Sequence, residues 1–532
     1  MATPQEIETI RQRGKKASER LDLWRSALDT VYHFIRPNHN MWSDDKTEGT
    51  DRAKDVYDLT AMNAVGTFVG RVHNTLTPPF FNFASQVPGH EIMRFEEQFP
   101  DDVKRFRELL EKNTKIIFDY IQNSNFNLEV TQCYYDLAVG TMALMVLEGS
   151  DNVPLRFHCV SPRELAFEEN AFGFLTNVWR FIKDIKVDDI NKLWPKADTK
   201  SLKARSLDNP ELQEVTLTEA VIDLSDFDKS GEWVEKYRKV LYEESTGEVL
   251  LDEQMISSPW IIARWSRFPG YILGTGPAFE ATSTVLTVNK MVEYELIGNA
   301  FRATPAWLGF ADDVFNPWMT RIKPNTIIPM NASSAATPPL QELKMSGDVR
   351  FTQLQIQELR QQINDVLLAN PLGQPLGPFK TATEQMLRFQ QLDEKSQVAI
   401  GRLAAEFIEP LFSRVSFILQ KRGLIDAPPK IDGKTIRVQY RTPLATAQGT
   451  SNAEQFLSFY NALVGTLGQQ GALMSLNLDK IPGYFAEQYS IQEDLIKSED
   501  DLGIQQQQMQ QMVQAIAQAQ MQSAQEQQEG AA

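Results

Sequence analysis

Cysteine is nearly missing from this chain. Cys133 and Cys159 are the only two in 532 residues, and no Cys-x-x-Cys spacing occurs. That excludes a disulfide scaffold and a thiolate metal cluster. Cys133 falls in an apolar helix-like run and Cys159 in a strand-like run, so both are read as buried free thiols, as in a reducing compartment. Long apolar runs are missing too. The longest, Leu137–Leu147, is too short to span a bilayer. The N-terminus lacks the charged-then-apolar order of a signal peptide. A soluble, intracellular chain without a membrane partner is expected. Positive charge is in deficit: 53 Lys and Arg stand against 70 Asp and Glu, for a net charge of −17 and a pI near 5.0. A sequence-reading nucleic-acid binder would show a basic footprint instead.

Catalytic patterns are also absent. Gly433-Lys-Thr435 has the ending of a phosphate-binding P-loop, but Pro428 stands where that motif requires glycine. The five histidines, His33, His39, His73, His90 and His158, have no metal-ligand spacing. Pro100-Asp-Asp-Val-Lys104 has the residue types of a nuclease carboxylate–lysine set. It opens a helix, however, where Asp101 and Asp102 suit the positive dipole end. No serine elbow or redox pair occurs. The expectation is a non-enzyme without cofactor, metal or catalytic residues.

What the sequence does contain is globular. Apolar residues make up 42% and charged residues 23%, with 30 Phe and 9 Trp, over a length that suits about three to four domains. Residues 4–36 read as one long helix ended by Pro37, with Arg11, Arg13, Lys15, Lys16 and Arg20 on its early part. Helices follow at 60–76, 101–122 and 128–139. Strand patterns then take over at 142–147, 155–160, 164–167 and 178–182, with a turn at Asn170–Gly173. More strands follow at 214–222, 233–241 and 249–251, with Ser245–Glu248 as the turn between the last two. The fold class is α+β, mainly α.

From about Phe268 to Leu387 the chain reads as a long helix, an irregular excursion, a second long helix and a Pro/Gly-rich loop. The first helix covers roughly Phe279–Phe301, about 34 Å at 1.5 Å per residue. Its apolar positions are too widely spread for one stripe, which predicts burial on several sides. The return helix, about Val349–Leu368, has a cleaner face of Ile356, Leu359, Ile363, Val366 and Leu367. Its other face is rich in glutamine: Gln353, Gln355, Gln357, Gln361 and Gln362. Asn370–Lys380 carries three prolines and two glycines and forbids regular structure. Thr381 and Glu384 then have capping-box spacing, opening a helix to about Leu419 with a break near Pro410. Thr435–Tyr440 is a strand candidate. Ser451 and Glu454 open another helix over Phe456–Leu467, and a Gln-rich tail keeps a thin apolar stripe through Met509, Met512, Val513, Ile516 and Ala519.

Three patterns in this order carry a resemblance. They are Val56-Tyr-Asp-Leu-Thr-Ala61 followed by Leu76-Thr-Pro-Pro79, then Ala263-Arg-Trp-Ser-Arg-Phe-Pro-Gly-Tyr-Ile-Leu-Gly-Thr-Gly-Pro277, then Thr381-Ala-Thr-Glu384. The chain resembles the portal (head-to-tail connector) proteins of short-tailed, podovirus-type bacteriophages. The resemblance implies a homo-oligomeric ring, usually a dodecamer, at the capsid portal vertex of the virion. The host bacterial cytoplasm would be its place of synthesis. It implies a wing over 1–267 with a β-rich insertion at about 141–260, and a first stem helix in 268–302. A clip over 303–346, a second stem helix at 347–369 and a tunnel loop at 370–380 would follow. A return helix and strand would occupy 381–449 and a crown 450–502, with a barrel helix or disordered tail at 503–532.

The implied partners are further copies of the chain, double-stranded DNA passing through without sequence reading, the terminase large subunit, the tail adaptor, the major capsid protein, and scaffold or internal core proteins. Acidic or neutral walls suit sliding DNA, since basic walls hold phosphate tightly. Asn370, Gln374, Phe379 and Lys380 are the candidate channel residues, with Gln374 and Lys380 as phosphate donors. Asp312, Asp313, Trp318, Arg321 and Lys323 are the candidate clip contacts to terminase and adaptor; equally, they pack the loop on a neighbouring subunit. The basic cluster on the first helix is either a solvated face or a contact to packaged DNA or a capsid neighbour. Two other readings stay open: another phage virion protein (internal core or scaffold), and a DNA-processing enzyme subunit.

Overall fold

The structure is a computed structural model. It describes residues 4–37, 53–79, 81–89, 100–170, 173–208, 214–224, 236–303, 307–309, 340–342, 349–369, 399–426, 436–440 and 455–468, with a few single positions beyond. Helix and strand are both present, as the α+β reading expects. The chain divides into two compact units, Met1–Phe81 with Gln86–Val438, and Asn82–Ser85 with Gln439–Ala532.

The larger unit is built on two antiparallel sheets. In chain order the strands begin with β1 (Ala84–Pro88), which belongs to neither of these sheets, followed by β2 (Thr141–Glu148) and β3 (Leu155–Cys159). Then come β4 (Leu165–Glu169), β5 (Leu175–Lys186), β6 (Glu214–Asp223), β7 (Tyr237–Glu243), β8 (Val249–Met255) and β9 (Trp260–Arg264). Strands β4 to β8 form a five-stranded meander in which each pairs with the next. The expected turn positions serve it. Gly173 and Gly247 both hold positive φ, at 85° and 75°, where glycine has no steric penalty.

Because side chains alternate along a strand, each face of the meander buries its own set. Ala166, Trp179, Ala220, Ile222, Val240 and Tyr242 pack against Ile10 and Ala17 of helix α1 (Pro4–Asp22). Leu217, Leu241, Leu250 and Leu251 on the other side pack against Val187 and Ile190 of α6 (Val187–Leu193) and Leu202 of α7 (Lys200–Asp208). Helix α1 lies on the Trp179 indole at Gly14, where an added Cβ would come within 2.8 Å of the ring. Arg13 donates to Glu168 at 3.0 Å and Arg11 to the Glu244 carbonyl at 3.0 Å. Two members of the basic cluster are therefore spent on holding α1 to its own sheet.

The expected single helix over 4–36 is two. The chain turns at Leu23–Trp24 and resumes as α2 (Arg25–Ile35). Neither residue is a helix breaker. The Trp24 ring packs edge-on against Tyr271 at 5.2 Å and near Phe279 at 5.9 Å, so tertiary packing sets the bend. Helices α3 (Thr60–Leu76), α4 (Pro100–Gln122) and α5 (Phe126–Val139) follow.

The second sheet has order β3-β2-β9. Its central strand β2 is buried from Thr141 to Val146. It packs against α5 and against α10 (Glu409–Lys421). The expected break near Pro410 is instead a wide turn over Ala404–Ile408, in which the Glu409 N–H reaches back to the Ala404 carbonyl. Proline lacks the N–H of a regular helical bond and its ring crowds the preceding turn. The one-residue bulge absorbs this and the helix continues.

Two long helices complete the larger unit, α8 (Pro277–Ala303) and α9 (Val349–Val366). Helix α8 starts at Pro277, where proline's fixed φ suits the first turn; residues 268–276 before it form turns rather than helix. Short strands β10 (Trp307–Gly309) and β11 (Leu340–Glu342) pair antiparallel, and β12 (Ile436–Tyr440) lies where a strand was expected. In the smaller unit, residues 455–468 are helical, and the rings of Phe456, Tyr484 and Phe485 lie 5.5 to 5.9 Å apart.

Candidate functional site

The functional candidate is the pair of long helices and the base that holds it. Helix α8 buries Ala278, Ala281, Val285, Val288, Asn289 and Val292. That is one stripe, not the all-round burial its composition predicts. Leu286, Tyr294 and Ile297 lie on another side of the helix and stay exposed; Tyr294 keeps 61% of its surface. Helix α9 turns Ile356, Ile363 and Leu367 inward. Val366, expected on the same side, is partly exposed. The five glutamines all face solvent, as the sequence pattern implies. The helices run against each other in opposite directions. Gln353 donates to Glu295 at 2.9 Å, while Arg360 lies level with Asn289 through a shared contact at Asp58.

That shared contact is a polar latch. The Asn289 side-chain carbonyl accepts from the N–H groups of Tyr57 at 2.7 Å and Asp58 at 3.2 Å, and its amide donates to the Asp55 carbonyl at 2.8 Å. Asp58 is buried. Its carboxylate accepts from Thr60 N–H at the start of α3 and from Arg360 Nε at 2.7 Å. One short loop thus clamps both long helices.

The start of α8 is fixed by close backbone approach. The Gly276 N–H donates to Val139 carbonyl at 2.8 Å and Trp265 N–H to Gly140 carbonyl at 2.9 Å. The Gly274 N–H donates to Thr141 Oγ1 at 2.8 Å. A Cβ on Gly140 would lie 2.0 Å from the Gly274 carbonyl oxygen, and one on Gly276 would lie 2.3 Å from that of Ala138. Beside this crossing, Arg264 is 1% exposed. It bonds Glu406 at 3.0 Å, the Gly173 carbonyl at 2.9 Å and Glu169 at 3.4 Å, and Arg267 pairs with the same Glu169 at 2.6 Å. Glu406 sits in the wide turn before Pro410, so the bulge aims a carboxylate at the strand that leads into α8.

Further back, Thr77 Oγ1 meets the Tyr134 hydroxyl at 2.7 Å, and the Trp265 ring packs on Phe68 at 5.1 Å. Trp265 of the second resemblance pattern thus packs on the helix that the first pattern opens. Tyr57 and Asp58 hold the long helices directly, and Gly274 and Gly276 fix the approach to α8.

The sequence matches the family described as bacteriophage head to tail connecting protein over residues 7–496. The chain belongs to that family. The connector family is structural, not a known enzyme family, and its members belong to the phage particle at the junction of head and tail. No curated protein matches the sequence. Among the described residues of this connector, no helix is long and apolar enough to cross a membrane, and no group of His, Cys, Asp and Glu is arranged to hold a metal ion.

The candidate channel residues Asn370, Gln374, Phe379 and Lys380 lie outside the described residues of the connector. So do the candidate clip residues Asp312, Asp313, Trp318, Arg321 and Lys323, the Thr381–Glu384 capping box and the Gln-rich tail. Sequence reading did not single out Asn289, Arg360 or Glu406, and Asp58 and Arg264 entered it only as members of the resemblance patterns. One signal existed: Asn289 is a polar residue on an otherwise apolar stripe, between Val288 and Val292.

Proposed function

We propose that this connector is the portal of a podovirus-type phage. It would be a dodecameric ring at one capsid vertex through which double-stranded DNA is packaged and later ejected. The observation that carries the reading is the surface of the helix pair. Helices α8 and α9 pack on each other, yet leave Leu286, Tyr294 and Ile297 exposed around a Lys290–Glu293 pair, and a glutamine face in solvent. A ring of copies accounts for both. Neighbouring copies cover these apolar side chains, since fully burying one stabilises by about 1.5–3 kcal/mol. The amide face then lines a channel without the fixed positive charge that would hold phosphate.

In this reading α8 and α9 are the stem, and the base latch sets their tilt. The meander and its helices form the wing, facing the major capsid protein and scaffold or internal core proteins. Residues 303–346 form the clip, where Asp312, Asp313, Trp318, Arg321 and Lys323 meet the terminase large subunit and then the tail adaptor. The loop 370–380 reaches the DNA through Asn370, Gln374, Phe379 and Lys380, and residues 450–502 form the crown.

The test is end-on negative-stain electron microscopy of the purified chain. Rings with a hole wide enough for a DNA duplex are expected, with the subunit count read from symmetry. A chain that stays monomeric, also when co-expressed with its capsid and scaffold proteins, overturns the reading. Deleting Gly373–Gly377 should leave rings intact and impair retention of packaged DNA; loss of rings would make that loop a packing element.

A further inference from the structure

A cleft of about 370 Å³ opens between β5, β7, the approach to β9, and the helix through Pro410. Phe174, Ile256, Trp260, Arg264, Glu406 and Arg414 are on its wall. Its charges are unequally matched. Arg264 is neutralised by Glu406 and Glu169. Arg414 is 7% exposed, and its guanidinium lies 5.8 Å from the centre of the Phe417 ring; among the described residues no carboxylate forms an ion pair with it. Its Nη1 donates to the Ser257 carbonyl at 3.1 Å and to Ser257 Oγ at 2.6 Å, and its Nε to the Val146 carbonyl at 3.4 Å. The remaining edge of the guanidinium makes no hydrogen bond among the described residues. Burial lowers the Arg414 pKa from its ordinary value, and the Glu148 carboxylate, itself paired with Lys421 at 2.7 Å, opposes this only in part. The Trp260 indole N–H, also on this wall, has no acceptor among the described residues. The rim carries two large apolar side chains in water, Phe174 at 60% and Ile256 at 44% exposure.

A buried cation without a counter-charge is costly, and buried donors are ordinarily satisfied. We propose that this cleft is a socket between copies of the chain. It would take an Asp or Glu side chain of a second copy onto the free edge of Arg414, with an apolar neighbour of that residue covering Phe174 and Ile256. The proposal rests on the ring reading above. Charge complementarity selects the occupant. The chain carries 70 carboxylates against 53 basic groups, so a second copy chiefly presents acid. Nucleic acid fits poorly, because Glu406 is on the same wall and one unpaired cation suits one carboxylate rather than a run of phosphates.

The test uses the full chain, assembled into rings. A photo-crosslinking phenylalanine analogue at position 256 is expected to join two copies, with an Asp- or Glu-containing peptide identified by mass spectrometry. Ile256→Glu, on the exposed rim, is expected to keep the wild-type melting temperature as a monomer. It should lower the ring fraction at fixed concentration by at least about tenfold. Arg414→Gln should do the same, with Arg414→Lys restoring part of the assembly. Rings that form normally in Ile256→Glu, or crosslinks only within one copy or only to another virion protein, overturn the socket and leave the ring reading standing. A wild-type chain that never forms rings overturns both.

Discussion

Arg360 on α9 holds the Asp58 carboxylate through Nε at 2.7 Å and Nη2 at 2.6 Å, although the two residues stand 302 positions apart. Asp58 is 4% exposed in its side chain and Arg360 is 42% exposed. The two ends of the pair therefore differ in what their loss leaves behind. Removing the arginine strands a buried carboxylate, whereas neutralising the acid leaves an arginine that water can reach. Arg360→Met is expected to cost about 2–3 kcal/mol and Asp58→Asn about 1 kcal/mol. Thermal melts of the two variants against wild type check the order; a larger loss for Asp58→Asn would contradict it.

The glycines at the α8 entry should tolerate nothing larger. In Gly140→Ala and Gly276→Ala the new Cβ would lie 2.0 and 2.3 Å from backbone oxygens, which no rotamer change can relieve. Each is expected to cost more than about 3 kcal/mol and to reduce soluble yield. Gly298, inside α8, has nothing within 4 Å of its ideal Cβ. Gly298→Ala is expected to raise the melting temperature of the chain, by roughly 0.5–1 kcal/mol of helix propensity. Paired expression and melting of these variants separates contact from conformation.

Asp136 gives the larger unit a specific pH dependence. Burial raises its pKa from the ordinary carboxylate value to about 7, against the lowering effects of the Tyr32 hydrogen bond and of Arg36. Tyr32 donates to it at 2.9 Å, and Cys159 Sγ stands 4.0 Å away. Between the unfolded value of 3.8 and about 7 the folded state holds the proton and the unfolded state does not. Stability from this group therefore falls as pH rises through that window and stays low above it. Asp136→Asn removes the dependence. The variant is expected to match wild type near pH 4 and to exceed it at pH 8, by on the order of 3 kcal/mol. Denaturant melts at both pH values check this; a variant less stable at pH 8 would contradict it.

Helix α9 ends on a leucine in a glycine conformation. Leu368 has φ of 52°, and the bonds Leu368 N–H to Asp365 carbonyl and Ala369 N–H to Asn364 carbonyl close the helix as a Schellman motif. Arg71 caps it by donating to the Leu368 carbonyl. An L-residue in this region is disfavoured by about 1–2 kcal/mol. Glycine avoids that but gains roughly 0.4–1 kcal/mol of unfolded-state freedom. Leu368→Gly is thus expected to stay within about 1 kcal/mol of wild type. Leu368→Val, branched at Cβ, is expected to lose about 1–2 kcal/mol.

By itself the sequence determined the repeating local order of this connector. Period-two strands around Gly173 and Gly247, the apolar stripe through Ile356 and Ile363, and the glutamine face opposite it were all legible, because side-chain alternation and helical pitch are properties of adjacent residues. Its resemblance patterns were legible as words without a mechanism. Tertiary structure alone decided what they do. Gly274 and Gly276 are needed because another backbone crosses there, and Asp58 because Arg360 and Asn289 converge on it. The bend at Trp24 answers to Tyr271 and Phe279, and the bulge before Pro410 brings Glu406 to Arg264 across 142 residues. None of these partners is within a helical turn or a hairpin of the other. No local pattern encodes such pairs, because burial fixes them only once the sheets and helices have packed.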